Sequence, residues 1–162
     1  MPDTQPSRIQ DGDMTESRAR EMIELMFFAY RDFTGEPDSL LARYGFGRAH
    51  HRVIYFVGRN AGITVTDLLG ILQITKQSLS RVLGHLLNEG FVEQRTDAQD
   101  RRRRRLYLTD RAVALERELT ARQSARIARA LDHAGPEARA GFIAVLRGMI
   151  EPRDRDRVPP AS

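Results

Sequence analysis

Five adjacent arginines, Arg101 to Arg105, follow the polar stretch Thr96–Asp100 and precede Leu106-Tyr107-Leu108. Like charges brought this close repel unless an anion neutralises them, so the run implies an anionic partner. Upstream, Thr75, Lys76, Gln77, Ser78, Ser80 and Arg81 open a stretch of helical periodicity. Lysine and arginine reach guanine acceptors, glutamine can bond adenine twice, and serine and threonine hydroxyls bond bases or phosphates. Such groups grip and read a polyanion rather than make or break bonds. No paired acid and base, nucleophile elbow or P-loop is present, so the chain is read as non-enzymatic, with no catalytic residue.

The elements that must carry these side chains follow from apolar spacing. Leu79, Val82, Leu83, Leu86 and Leu87 form one stripe. It predicts a helix from a Thr75 cap to about Asn88, with Gln77, Ser80, Arg81 and Gly84 opposite the stripe and Lys76 at its shoulder. Thr64-Val65-Thr66-Asp67 is a capping-box start with Asp in place of the usual Glu, and predicts a helix ending near Leu72. Gln73-Ile74 leaves only a tight turn between the two, which is the helix-turn-helix arrangement. Gly90 stops the second helix, Phe91–Arg95 reads as a strand, and Leu106–Leu108 reads as the end of the returning strand. The arginine run thus falls on a hairpin beside the second helix.

The run Leu79-x-Arg81-x-Leu83-x-x-Leu86-x-x-x-Gly90-Phe91-Val92-Glu93, then Asp97-x-x-Asp100-Arg101-Arg102, then Leu108-Thr109, resembles the MarR family of bacterial transcription regulators. The likeness extends from about Thr15 to about Ile150, and Tyr44–Arg52 (YGFGRAHHR) looks like the PetP-like alphaproteobacterial subgroup. The resemblance implies a mainly α fold with a small β-hairpin wing: a winged helix-turn-helix lobe plus a helical dimerisation region. It implies that Arg102 is the wing-tip arginine entering a minor groove, and that Asp100 steadies it. The chain departs from the pattern in two places. Gln99 stands where many relatives have Arg, and Arg104 and Arg105 stand where the strand usually has apolar residues. The resemblance also implies a small-molecule site between the dimer helices and the DNA-binding lobe, for which Tyr30, His50, His51, Arg52 and Tyr55 are the candidates.

Composition agrees with a nucleic-acid partner. Formal net charge is +4, and residues 73–111, with nine Lys/Arg and five Asp/Glu, account for all of it. A basic patch on a neutral scaffold is the footprint of a polyanion-binding surface. At 162 residues the chain is long enough for one domain with a real core. The absence of cysteine excludes a thiol switch and suits a cytoplasmic protein. No apolar run approaches the roughly 18–20 residues of a membrane span. Gly45-Phe46-Gly47 lacks the third glycine and the βαβ setting of a dinucleotide fingerprint. The adjacent His50 and His51 point about 100° apart on a helix, which argues against a histidine metal site. No metal and no resident cofactor are expected, which leaves room for an unidentified effector.

The rest reads as framework. Residues 1–13 and 151–162 are polar, Pro-containing tails expected to be unstructured, around a single domain over 14–150. Within it, 48–109 is the DNA-binding lobe and 14–34 with 110–150 supply dimerisation helices. The first helix should start near Thr15 and end at Thr34–Asp38, where Gly35 and Pro37 act as breakers, before a short helical turn over Leu40, Leu41 and Tyr44. Met22 to Phe33 are apolar on more than one stripe, so one side should meet the chain's own core and the other a second subunit. Further helices are expected at Arg48–Arg59, from Thr109 to about His133, and through Phe142–Ile150. The expected partners are therefore a second copy of the chain and a pseudo-palindromic DNA duplex, with no membrane. A winged-helix module that binds protein or RNA without an operator is the alternative.

Overall fold

A computed structural model describes residues 15–159. Six α-helices and a three-stranded sheet run in the order α1 (Glu16–Ala42), α2 (Arg48–Arg59), β1 (Ile63–Thr64), α3 (Val65–Leu72), α4 (Lys76–Asn88), β2 (Val92–Thr96), β3 (Arg104–Leu108), α5 (Asp110–Ala134) and α6 (Ala138–Met149). The expected N-terminal tail, residues 1–13, lies outside the described residues.

Helix starts follow local chemistry. The side chains of Thr15, Thr64, Thr75 and Thr109 accept the backbone N–H of Arg18, Asp67, Ser78 and Ala112 respectively. Each satisfies a donor that the first helical turn leaves open. Thr75→Ala is accordingly expected to cost about 0.5–2 kcal/mol of stability. A urea titration reads this as a lower midpoint, and an unchanged midpoint contradicts the cap.

The core gathers Leu41 from α1, Val53, Ile54 and Val57 from α2, Leu68 from α3, Leu79, Val82, Leu83 and Leu86 from α4, and Leu115 and Leu119 from α5. Val92 and Leu106 of the sheet, and Phe91 just before β2, close it. The apolar stripe of α4 is therefore buried as its spacing requires, and its polar face is left outside.

Four features differ from the sequence expectations. The first helix does not stop at Pro37 but continues to Ala42. Proline removes the bond to the carbonyl of Phe33, four residues back, a loss of about 3 kcal/mol or more in a helix interior. Pro37 is itself fully buried, and Leu40 and Leu41 beyond it are buried in the core, so packing offsets that loss. The hairpin gains a third strand, β1, giving the order β1-β3-β2 with Ile63 opposite Leu106. Gly62 makes the approach possible: its φ is +85°, and a Cβ there would meet Tyr107 Oη at 3.0 Å. The tail is not structureless over Pro152–Arg157, which form a short 3-10 helix bound to Ile150 O through Arg155 Nε at 3.2 Å. Finally, Glu21 to Tyr30 of α1 are exposed all round, so neither apolar side of this stretch meets the chain's own core. Among the described residues, no helix is long and apolar enough to cross a membrane.

Candidate nucleic-acid interface

Gln73 sets the angle between α3 and α4. It is the one described non-glycine residue with positive φ (52°), and it caps α3 in the left-handed conformation. Its Nε2 donates to Gly70 O at 2.7 Å, tying down a turn only three residues long. Beyond it Lys76, Gln77, Ser80 and Arg81 are exposed on one side of α4. None of the four side chains has a hydrogen bond or ion pair among the described residues. Ser78 differs: its hydroxyl accepts from Thr75 Oγ1 at 2.8 Å, and it is half-buried in the cap. Thr75 and Ser78 therefore position the helix start.

The five arginines divide into two sets. Arg101, Arg102 and Arg103 lie exposed in the loop between β2 and β3. Arg104 and Arg105 begin β3 and are held internally: Arg104 donates to Thr96 Oγ1, and Arg105 donates to Asp97 Oδ2 at 2.6 Å and to Gly62 O at 2.9 Å. Register explains how a strand beginning with two cations keeps its alternation. Leu106 and Leu108 share one face with Val92, and Arg105 shares the other with Tyr107, Glu93 and Arg95. Arg95 and Arg105 are direct cross-strand partners, yet each is compensated elsewhere. The Arg95 guanidinium lies 4.3 Å over the Tyr107 ring and pairs with Glu93, while Arg105 pairs with Asp97.

Asp97 is the hidden anchor of the wing. It is buried, and its Oδ1 accepts Gln99 N–H at 2.9 Å. That hydrogen bond and the Arg105 guanidinium hold its carboxyl below the usual range. Asp100 braces the tip differently. Its Oδ1 accepts the backbone N–H of Arg102 at 3.0 Å, and its Oδ2 lies 3.5 Å from Arg103 Nε. Asp100 thus fixes the Arg102 backbone, while its ion pair goes to Arg103. Arg101 and Arg102 have no side-chain partner among the described residues. Gln99, the departure from the family pattern, contributes its N–H to the Asp97 turn.

The five candidate ligand residues do not converge on one cleft. Arg52 donates to Tyr30 Oη at 2.9 Å, with the Arg48 guanidinium 5.7 Å from the Tyr30 ring centre. His50 turns to the other side of α2 and meets His85 of α4, with ring nitrogens 3.0 Å apart. Tyr55 packs edge-on against Phe56. An open cleft lies instead between α5 and α6, lined by Ile127, Leu131, Phe142 and Ile143 among others. No described group of three or more His, Asp or Glu is placed to hold a metal ion. The His50–His85 contact was missed because the two lie 35 residues apart. One signal was legible: His50 occupies the third position after the Gly47 cap, where a side chain can reach back to the cap N–H.

Burial is the main influence on His50 and His51, and holds both below the usual histidine range. For His51 it outweighs the opposing carboxylates of Asp38 and Glu116. A depressed folded-state pKa means the unfolded chain takes up protons first, so stability is full above the unfolded value and is lost as pH falls. The denaturation midpoint is expected to drop between about pH 7 and pH 5, well above the carboxylate range. A midpoint flat over that window contradicts it.

Comparison with known proteins fits this geometry. Residues 44–103, which span α2, α3, α4 and most of the wing, match the MarR family. The chain is 49% identical over 142 residues to the HTH-type transcriptional regulator PetP of Rhodobacter capsulatus, covering 88% of this chain and 86% of that protein. Its fold is similar to that of Streptococcus pneumoniae FabT, solved in complex with DNA (TM-score 0.73, 19% identity, 81% of this chain and 94% of that one). It is also similar to that of a SlyA-like transcription regulator from Listeria monocytogenes (TM-score 0.66, 16% identity, 83% and 89%). With identity at this level to PetP over most of both chains, and with the family match lying on the helix-turn-helix and wing, the chain belongs to the MarR family.

Proposed function

We propose that the protein is a transcriptional regulator that binds a pseudo-palindromic DNA duplex as a homodimer in the cytoplasm. The observation that carries this reading is the unpaired, exposed set Lys76, Gln77, Ser80 and Arg81 on a helix whose opposite face is wholly committed to the core. Gln77 and Arg81 read base edges in the major groove, and Lys76 and Ser80 take bases or flanking phosphates. Thr75 and Ser78 present the helix N-terminus, which favours a phosphate. Arg102, braced through its backbone by Asp100, enters a minor groove that A·T-rich sequence has narrowed. Arg101 and Arg103 grip phosphates.

The dimer is supported by apolar surface left exposed among the described residues. Met22, Ile23, Leu25, Met26, Phe27 and Phe28 of α1, and Phe142, Ile143, Val145, Leu146 and Met149 of α6, are all large, apolar and exposed. Exposed apolar surface of this extent marks an interaction surface. A second copy supplies a matching patch by two-fold symmetry and sets two recognition helices about one DNA turn apart. For a small-molecule effector, Tyr30 and Arg52 are the side chains we propose, a reading supported by their hydrogen bond between α1 and α2.

Selection of genomic fragments by the purified protein tests the function. Enrichment of one pseudo-palindromic sequence is expected. Absence of enrichment, or tighter binding to single-stranded RNA than to duplex DNA, overturns the reading in favour of an RNA- or protein-binding module. On the selected duplex, Arg101→Ala is expected to make the plot of log affinity against log salt shallower by about one unit. An unchanged slope removes Arg101 from the phosphate contacts.

A further inference from the structure

His50 and His85 form a contact that one protonation state satisfies. The Nδ1 of His50 accepts the backbone N–H of Gly47, the N-cap of α2, at 3.1 Å. A ring nitrogen that accepts carries no proton, so neutral His50 carries its proton on Nε2. That Nε2–H donates to Nδ1 of His85, 3.0 Å away, which leaves the His85 proton on its own Nε2. Phe46 fixes both rings: it stacks on His50 (4.9 Å, 14°) and meets His85 edge-on (5.1 Å, 84°). The result is a polar tie from the start of α2 to α4, one turn beyond Arg81.

We propose that the His50–His85 hydrogen bond is a proton-sensitive latch that holds α4 at the angle needed for sequence reading, with both histidines acting as positioning residues. The proposal rests on the DNA-reading function given above. A proton on Nδ1 of His50 turns an acceptor into a donor facing the Gly47 N–H. That replaces an attraction with a repulsion in a half-buried contact, where a polar group is costly to leave unpaired.

The surroundings do not compensate an added charge. The Arg81 guanidinium of α4 acts on His50 as a like charge, as does His85. Phe46, Tyr44 and Phe91 make up the aromatic cluster beside the pair, and the charge on its far side is Arg111 of α5, over the Tyr44 and Phe91 rings. Among the described residues no carboxylate pairs with either histidine. The latch is thus closed at neutral pH and opens on acidification as His50 takes up a proton, below the ordinary histidine value.

The test is the ratio of affinities for the selected operator and a scrambled duplex, because added protons strengthen non-specific binding to any polyanion. In the wild-type protein this ratio is expected to fall about five- to tenfold from pH 7.5 to pH 5.5. In H50Q/H85Q two amides can make both hydrogen bonds without titrating, so the ratio at pH 7.5 is expected to be kept and the fall abolished. A wild-type ratio that is flat with pH, or a fall that persists in H50Q/H85Q, overturns the latch while leaving DNA reading intact. Failure to prefer the operator at any pH overturns both. Should H50Q/H85Q not fold, 15N NMR of the wild-type imidazoles decides. An unprotonated His50 Nδ1 at pH 7.5, titrating over the range in which the ratio falls, supports the latch. A protonated Nδ1 there, or titration outside that range, overturns it.

Discussion

Truncating Phe91 to alanine is expected to lower the free energy of unfolding by about 3–5 kcal/mol. Phe91 is 1% exposed and stands where three elements meet. Its N–H donates to Leu86 O at 2.9 Å, ending α4, and its carbonyl accepts Thr109 N–H at 3.1 Å, starting α5. The ring meets Phe46 and Tyr44 edge-on at 4.9 and 5.4 Å, and the Arg111 guanidinium caps it at 4.3 Å. Alanine leaves a cavity that the backbone on both sides is too constrained to close, since Gly90 before it is held at φ +73°. Urea denaturation measures the loss. A decrease below about 1 kcal/mol would mean that the site collapses freely, contrary to this geometry.

Phe142→Glu is expected to convert the proposed homodimer to monomer with little effect on the fold of each chain. Phe142 is 47% exposed on α6, so its own chain does not depend on it for a core. With about half of the side chain left to cover, burial contributes about 0.7–1.5 kcal/mol per copy, and two-fold symmetry counts it twice. The dimer dissociation constant should therefore rise by about one to two decades, before the cost of burying two carboxylates is added. Operator affinity should fall with it, because a monomer presents one recognition helix instead of two. Sedimentation velocity and a gel shift read the two effects. An unchanged mass would place the two-fold axis away from α6.

Much of the DNA-binding lobe was legible because its signals are local. A threonine three residues ahead of its N–H partner, and leucines at helical spacing, fix α3 and α4 wherever the rest of the chain lies. The exposed residues on α4 follow from the buried ones. What was not legible depends on long-range contacts. Pro37 reads as a breaker until Leu40 and Leu41 are seen in the core. β1 is only two residues long and exists because Leu106 is there to pair with it. The arginine run reads as five equal cations until Asp97, a buried aspartate on the neighbouring strand's exit, claims Arg105. His50 and His85 carry no sequence pattern that joins them. The apolar excess of α1 was legible as a need for a partner, yet the extent of that need was not: among the described residues the stretch from Glu21 to Tyr30 stays exposed on every side.

The most direct test of a two-fold surface that reads with α4 and clamps with the wing is a hydroxyl-radical and methylation footprint on the selected duplex. The expected pattern is two major-groove protections about one helical turn apart, each flanked by a minor-groove protection that disappears in Arg102→Ala. A single uninterrupted protected tract, or minor-groove protection that survives the loss of Arg102, would contradict it.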